Sequence, residues 1–144
     1  MADSRAVVLD TDVFSVLNVT RLPSEDLARR AGTWRATVAD KAQAISFQTR
    51  AEVLGGAYLA NWGIRRLAGL LAQLDRTPTI DEDDDVVDAY AKLLADAARI
   101  GHPLGNPAQH VGDRWIAACA IAKGVPLLTG NLRHFAGAPG LELL

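Results

Sequence analysis

Asp10, Glu52, Asp113 and Asn131 are the residues whose types and spacing suit chemistry, because each stands where a strand ends or a helix begins. Asp10 closes the apolar run Ala6-Val7-Val8-Leu9. Glu52 lies one turn into the helix after a second strand, Asp113 opens a helix, and Asn131 sits in the turn Thr129-Gly130-Asn131 after a fourth strand. In an open parallel sheet, ligands collect at the carboxyl ends of the strands, so all four are expected to face one cleft. Hard divalent cations prefer oxygen donors and keep several waters, and three separated acids supply such a site without histidine or cysteine. The expected ligands are Asp10, Asp113 and Glu52 and the expected ion Mg²⁺, with Mn²⁺ the alternative. A cation held there polarises a phosphodiester, lowers the pKa of an attacking water and stabilises the leaving oxygen.

Each acid also has a purely structural reading. Asp10 or Asp12 suits the cap of a helix beginning near Val13. Thr49-Arg50-Ala51-Glu52 matches a capping box, in which the glutamate bonds back to the threonine amide. Asp113 suits the cap of its own helix. The catalytic expectation therefore rests on the set rather than on any member. Arg114, with Arg50, Arg65, Arg66 and Arg133, lies near these positions and suits phosphate contact. His110, three residues before Asp113, is placed to position a substrate or shuttle a proton, or is an ordinary loop residue. His102, His110 and His134 show neither HExxH spacing nor cysteine companions, which disfavours zinc.

The elements that must position these side chains follow from local pattern. Ala6–Leu9 reads as a central buried strand. Helix formers run from Ser24 to about Lys41 after Pro23, and Ala44–Phe47 reads as a second strand. A helix is expected from Thr49 to Trp62 with Val53, Ala57 and Ala60 on one face. The Gly55-Gly56 pair inside it costs about 1 kcal/mol per glycine relative to alanine, which close backbone approach would justify. Ile64–Leu74 is a further helix, Thr79–Ile80 a weak strand, and Asp81–Arg99 a helix whose acids sit at its positive end and Arg99 at its negative end. Pro103–Gly112 reads as a loop, Asp113–Lys123 as a helix stopped by Gly124, Val125–Leu128 as a strand, and Leu141–Leu144 as an edge strand. Strands separated by helices indicate an α/β fold, a mostly parallel sheet flanked by helices in an α/β/α sandwich. Trp34, Trp62 and Trp115 read as core or interface anchors rather than base-stacking residues.

At 144 residues the chain fits one domain, residues 1–144, able to bury a sizeable core. With 49% hydrophobic and 22% charged residues it falls outside disordered compositions. A net charge of −2 excludes a bulk nucleic-acid coat protein, so contact with nucleic acid must rely on a local patch or bound cations. Cys119 is the single cysteine and reads as a small buried helix residue. No signal-peptide core and no apolar stretch of membrane-spanning length is visible, which leads to an expectation of cytoplasmic location.

Four segments in order resemble the motifs of PIN-domain toxins of the VapC type: Val8-Leu9-Asp10-Thr11-Asp12-Val13-Phe14-Ser15, Ser46 to Gly56 around Glu52, Gly112 to Ala120 around Asp113, and Leu127 to Phe135 around Asn131. The likeness runs from residue 6 to the C-terminus. It implies a metal-dependent endoribonuclease, the toxin of a type II toxin–antitoxin pair, with RNA as substrate. It also implies a cognate VapB-type antitoxin, a homodimer and a heterotetramer or larger assembly with that antitoxin. By the same likeness, Thr11 and Ser15 are hydroxyl positions near the metal. Where many members carry a fourth aspartate this chain has Asn131, which puts a two-metal mechanism in doubt. Two alternatives remain at this point. Asp10-Thr11-Asp12-Val13 is also similar to the nucleophile motif of haloacid-dehalogenase-like phosphohydrolases, but only thirteen residues follow Asn131, with Glu142 their sole acid. The other is a catalytically weak PIN scaffold that acts by protein binding.

Overall fold

The computed structural model describes residues 5–19 and 24–144; Pro23, the expected lead-in to the second helix, lies outside them. Four strands, β1 (Ala6–Leu9), β2 (Ala42–Ser46), β3 (Thr79–Ile80) and β4 (Leu127–Leu128), form one sheet in the order β3-β2-β1-β4, all pairs parallel. Among the described residues seven α-helices accompany them: α1 (Thr11–Asn18), α2 (Glu25–Val38), α3 (Phe47–Leu59), α4 (Ile64–Asp75), α5 (Asp84–Arg99), α6 (Val111–Lys123) and α7 (Leu132–Phe135).

Strand alternation divides the core in two. Val7 and Leu9 of β1 point to one face and pack with Phe14, Trp34, Val38, Val53 and Leu74 from α1 to α4. Val8 points to the other and packs with Leu93, Leu104, Ile116, Ala117 and Phe135 from α5 to α7 and the turn between α5 and α6. A sheet buried on both faces needs a continuous apolar run, which is what Val7-Val8-Leu9 supplies at 0–1% exposure. Small residues on α6, Ala117, Ala118, Cys119 and Ala120, are all fully buried and let that helix lie close to the sheet. Burial pushes the Cys119 thiol up to about 12, so it is inert at neutral pH.

Several boundaries depart from the sequence pattern for local reasons. The acid run is only partly helical: Asp83 is the cap, accepting from Val86 N–H at 3.0 Å and pairing with Lys123, while Asp84 and Asp85 fill the first turn. The Gly55-Gly56 pair does not serve close approach, since a Cβ at either position would meet nothing within 4 Å. Ala60 is exposed rather than on the buried face with Val53 and Ala57. The Pro103–Gly112 loop contains a 3₁₀ turn at Pro103–Gly105, the C-terminal edge strand reduces to one bridge between Leu127 and Leu143, and α7 had no local signal. Among the described residues no helix is long and apolar enough to cross a membrane.

The strand order carries the functional consequence. The connection leaving β1 leads to β2 on one side, whereas β4 adds on the other side of β1. The crevice at such a reversal, beyond the carboxyl ends of the strands, is where α/β sheets bind ligands. Here it opens between the residues after Leu9 and after Leu128.

Candidate active site

An open cleft of about 510 Å³ occupies that crevice, lined by Asp10, Thr11, Asp12, Ser15, Arg30, Glu52, Asp113, Gly130 and Asn131. Of the residues singled out from sequence, Asp10, Thr11, Ser15, Glu52, Asp113 and Asn131 meet in it.

Asp10 is the N-cap of α1, yet only one carboxylate oxygen serves the helix, accepting from Thr11 N–H at 2.8 Å. The other accepts from the Thr129 hydroxyl at 2.7 Å, which ties the end of β1 to the end of β4. Both donors are neutral, and the side chain is only 6% exposed. Burial, with the nearby Asp12 and Asp113 charges adding to it against the Thr129 and Thr11 hydrogen bonds, pushes its carboxyl up to about 7. A carboxylate so placed favours a proton or a cation.

Asp12 is not a cap. Its oxygens accept from Val13 N–H at 2.7 Å and from Gly130 N–H at 3.0 Å, the second bond spanning 118 residues and setting the turn after β4. A Cβ at 130 would stand 2.5 Å from both Asp12 Oδ2 and Arg30 Nη2, so a larger residue there would push these two side chains aside.

Glu52 is freed from its expected structural duty. The N-cap of α3 is Ser46, whose hydroxyl oxygen accepts from Thr49 N–H at 3.0 Å, so the helix starts at Phe47 and the capping box at Thr49 does not form. Glu52 therefore stands well inside the first two turns, with Gln48 donating to it at 3.2 Å. Desolvation by its surroundings raises its pKa, helped by the Asp113 charge and opposed by Gln48 and Thr11. The Thr11 and Thr49 hydroxyls lie 2.9 Å apart, and Ser46 donates to Thr49 at 3.3 Å, a buried hydroxyl chain behind the acids.

Asp113 lies in the first turn of α6, but the N-cap is His110 in a left-handed conformation with φ 57°. Asp113 is thus also released from capping. His134 Nδ1 stands 2.6 Å from Asp113 Oδ2, and Asn131 Nδ2 2.9 Å from His134 Nδ1. At 112 a Cβ would lie 2.9 Å from Gln48 Nε2, so a larger residue there would displace the Gln48 side chain that donates to Glu52.

Arg114 must be reassigned. It is fully buried, and its Nη1 donates to the carbonyls of Leu104, Asn106 and Gln109 at 2.7, 3.1 and 3.2 Å. A guanidinium committed to three loop carbonyls cannot reach a phosphate; it instead holds the loop that delivers His110. The exposed Arg30 lines the cleft in its place, stacked over Trp34 at 4.8 Å. Sequence reasoning missed Arg30 because α2 carries no motif, and missed Asp12, Thr129 and His134 because their partners are distant in the chain. Arg50 pairs with Asp75 at 3.3 Å, and Trp115 packs on Tyr90 and Phe47, an interior anchor as expected.

The family model of the PIN domain matches residues 7–140. The chain belongs to the PIN-domain family. This PIN domain is 30% identical over 99 residues, 69% of its length and 71% of the relative's, to a protein of Salmonella typhimurium strain LT2 named tRNA(fMet)-specific endonuclease VapC. Its fold matches a chain of the DNA-bound VapBC complex of Salmonella typhimurium with TM-score 0.67 and 25% identity, covering 96% of each chain. It matches VapBC-5 of Mycobacterium tuberculosis with TM-score 0.62 and 27% identity, covering 97% of this chain and 98% of that one. The VapBC2 complex of Rickettsia felis, bound to a promoter DNA fragment, shares the fold at TM-score 0.73 and 20% identity, over 96% of this chain and 97% of that one. The PIN domain is VapC-like in sequence and in fold, which displaces the phosphohydrolase alternative.

Proposed function

We propose that this VapC-like PIN domain is the toxin of a VapBC-type toxin–antitoxin pair, a cytoplasmic endoribonuclease that hydrolyses RNA phosphodiesters with Mg²⁺ or Mn²⁺. The observation that carries the reading is the convergence of Asp10, Glu52 and Asp113, from three separate elements, on one cleft at the strand-order reversal. The donor set fits a hard divalent ion: all oxygen, in an opening wide enough for the ion to keep waters. When bound, such an ion polarises the phosphodiester and eases loss of a proton from the attacking water.

The chain's own residues supply the rest. Thr11 N–H and the Thr129 hydroxyl fix the Asp10 carboxylate, and Asp12 fixes the Gly130 turn opposite it. Ser15 lines the cleft, where its hydroxyl can orient water or a phosphate oxygen, while the Thr11 hydroxyl, 2.9 Å from that of Thr49, supports Glu52 from behind. Glu52, which holds a proton more tightly than an ordinary glutamate, accepts the proton that the attacking water loses. Arg30 offers the one guanidinium that lines the cleft among the described residues, for the RNA backbone.

The acidic cleft also invites a basic side chain of a VapB-type antitoxin, which would occupy the cation's place. Tyr58, Leu59 and Ile64, 59%, 87% and 89% exposed around the α3–α4 corner, offer apolar surface for such a partner or for the homodimer. The Salmonella relative is named for tRNA(fMet), so tRNA is the first substrate to try. Purified protein should cleave it with Mg²⁺, stop on chelation, and be inactive as Asp113→Ala with an unchanged circular dichroism spectrum. Cleavage indifferent to both chelator and substitution would refute the reading.

A further inference from the structure

Two imidazoles 24 positions apart in the chain meet at Asp113. His134 Nδ1 lies 2.6 Å and His110 Nδ1 3.9 Å from Asp113 Oδ2, with the two rings edge to face at 4.9 Å. Among the described residues this is the one set of three His, Cys, Asp or Glu side chains whose ligand atoms all lie within 4.8 Å of one another. The acids of the cleft form no such compact set. His110 holds the N-cap position of α6 but makes no side-chain capping bond; its ring turns to Asp113 instead. The third histidine behaves differently. His102 Nδ1 accepts from Leu104 N–H at 3.1 Å and its Nε2 donates to Ala136 O at 2.9 Å, so both nitrogens are consumed by the backbone.

We propose that His110, Asp113 and His134 form a second cation site, beside the oxygen-lined cleft, that takes a borderline transition ion, Zn²⁺ foremost. Imidazole nitrogen and carboxylate oxygen bind Zn²⁺ at about 2.0–2.2 Å, which sets tetrahedral donors roughly 3.3–3.6 Å apart. The distances here fall on either side of that separation, so small side-chain rotations suffice. The ion takes the lone pair of His134 Nδ1 in the neutral tautomer that carries its single proton on Nε2, and replaces the contact between that nitrogen and Asp113. Three protein ligands leave a fourth position for water, or for the Asn131 amide oxygen after a flip of the side chain whose Nδ2 now lies 2.9 Å from His134 Nδ1. Mg²⁺ is disfavoured at two nitrogen donors and keeps to the carboxylates. Asn131 in place of an acid favours the same outcome, since it removes a charge that would strengthen hard-ion binding. Asp113 belongs to both donor sets, so Zn²⁺ withdraws it from the cleft and inhibits RNA cleavage. That consequence rests on the nuclease reading; the binding does not.

Zn²⁺ binding is measured by calorimetry on the full chain without RNA, for wild type, His110→Ala, His134→Ala and Asp10→Asn, with imidazole nitrogen NMR on the wild type. One equivalent is expected to bind, weakened about tenfold or more by each histidine substitution. It should survive Asp10→Asn, and shift the ring nitrogens of His110 and His134 but not His102. Affinity unchanged in both histidine variants, or lost in Asp10→Asn, overturns the site, because zinc would then sit among the carboxylates. Should the variants unfold, the wild-type NMR decides: His110 and His134 signals that ignore Zn²⁺ overturn it equally. Failure of the nuclease reading would register separately, as absence of Mg²⁺-dependent cleavage by zinc-free protein with the zinc titration intact.

Discussion

Asp10→Asn should abolish RNA cleavage and at the same time make the metal-free protein more stable. The Asp10 carboxyl is raised from 3.8 to about 7 chiefly by burial. Each pKa unit is worth about 1.4 kcal/mol, so ionising this side chain in the folded protein costs on the order of 4 kcal/mol once the pH is well above 7. Because the folded pKa exceeds the unfolded one, the folded state binds the extra proton between roughly pH 4 and 7. Stability is therefore lost as pH rises through that window, and is unaffected by this group below it. Asparagine keeps an oxygen for Thr11 N–H and an amide for the Thr129 hydroxyl but carries no charge to desolvate. Allowing for relaxation around the ion, a gain of about 2–4 kcal/mol is expected at pH 8 in chelator, or roughly 6–15 °C in Tm for a chain of this size. Near pH 4 the two proteins should melt within about 3 °C of each other. Added Mg²⁺ should narrow the pH 8 gap by stabilising only the wild type. The assay is thermal unfolding by circular dichroism from pH 4 to 8 with and without chelator. A variant no more stable than wild type at pH 8, or a gap independent of pH, would refute the account of Asp10 as a desolvated, uncompensated carboxylate.

Arg114→Met should destabilise the fold by about 3 kcal/mol, because three carbonyls of the loop before α6 lose their buried donor; unchanged stability in urea with a raised KM for RNA would instead favour phosphate contact. Thr49→Val removes the link between the Ser46 and Thr11 hydroxyls and should cost about 1–2 kcal/mol while lowering kcat more than it raises KM; full activity with normal Tm would show the hydroxyl chain to be idle. Asn131→Asp adds an acid next to His134 and should tighten Mn²⁺ binding about tenfold or add a second equivalent by calorimetry. Identical Mn²⁺ isotherms would show that this position does not face the ion.

Much of the framework is readable from local pattern. The apolar run before Asp10 reads as a doubly buried strand, Ser24 and Gly124 mark the ends of their helices, and the four acid or amide positions fall in an order that suits one parallel α/β sheet. These signals act over a few residues, through propensity, capping and side-chain period, so they survive without knowledge of the rest of the chain. Which acids are free for chemistry was not readable in that way. Local pattern leaves Glu52 open between a metal ligand and a capping residue, which Ser46 decides by taking the cap three residues before Thr49, and Arg114 suits phosphate contact by pattern although packing buries it among loop carbonyls. The tie from Asp12 to Gly130, the grip of Thr129 on Asp10 and the meeting of His110 and His134 at Asp113 join residues 118, 119 and 24 positions apart. Such contacts depend on how β4 docks beside β1 and how α6 lies against α3. Docking of that kind is set by side-chain volume and the burial of whole faces, which no short stretch of sequence encodes.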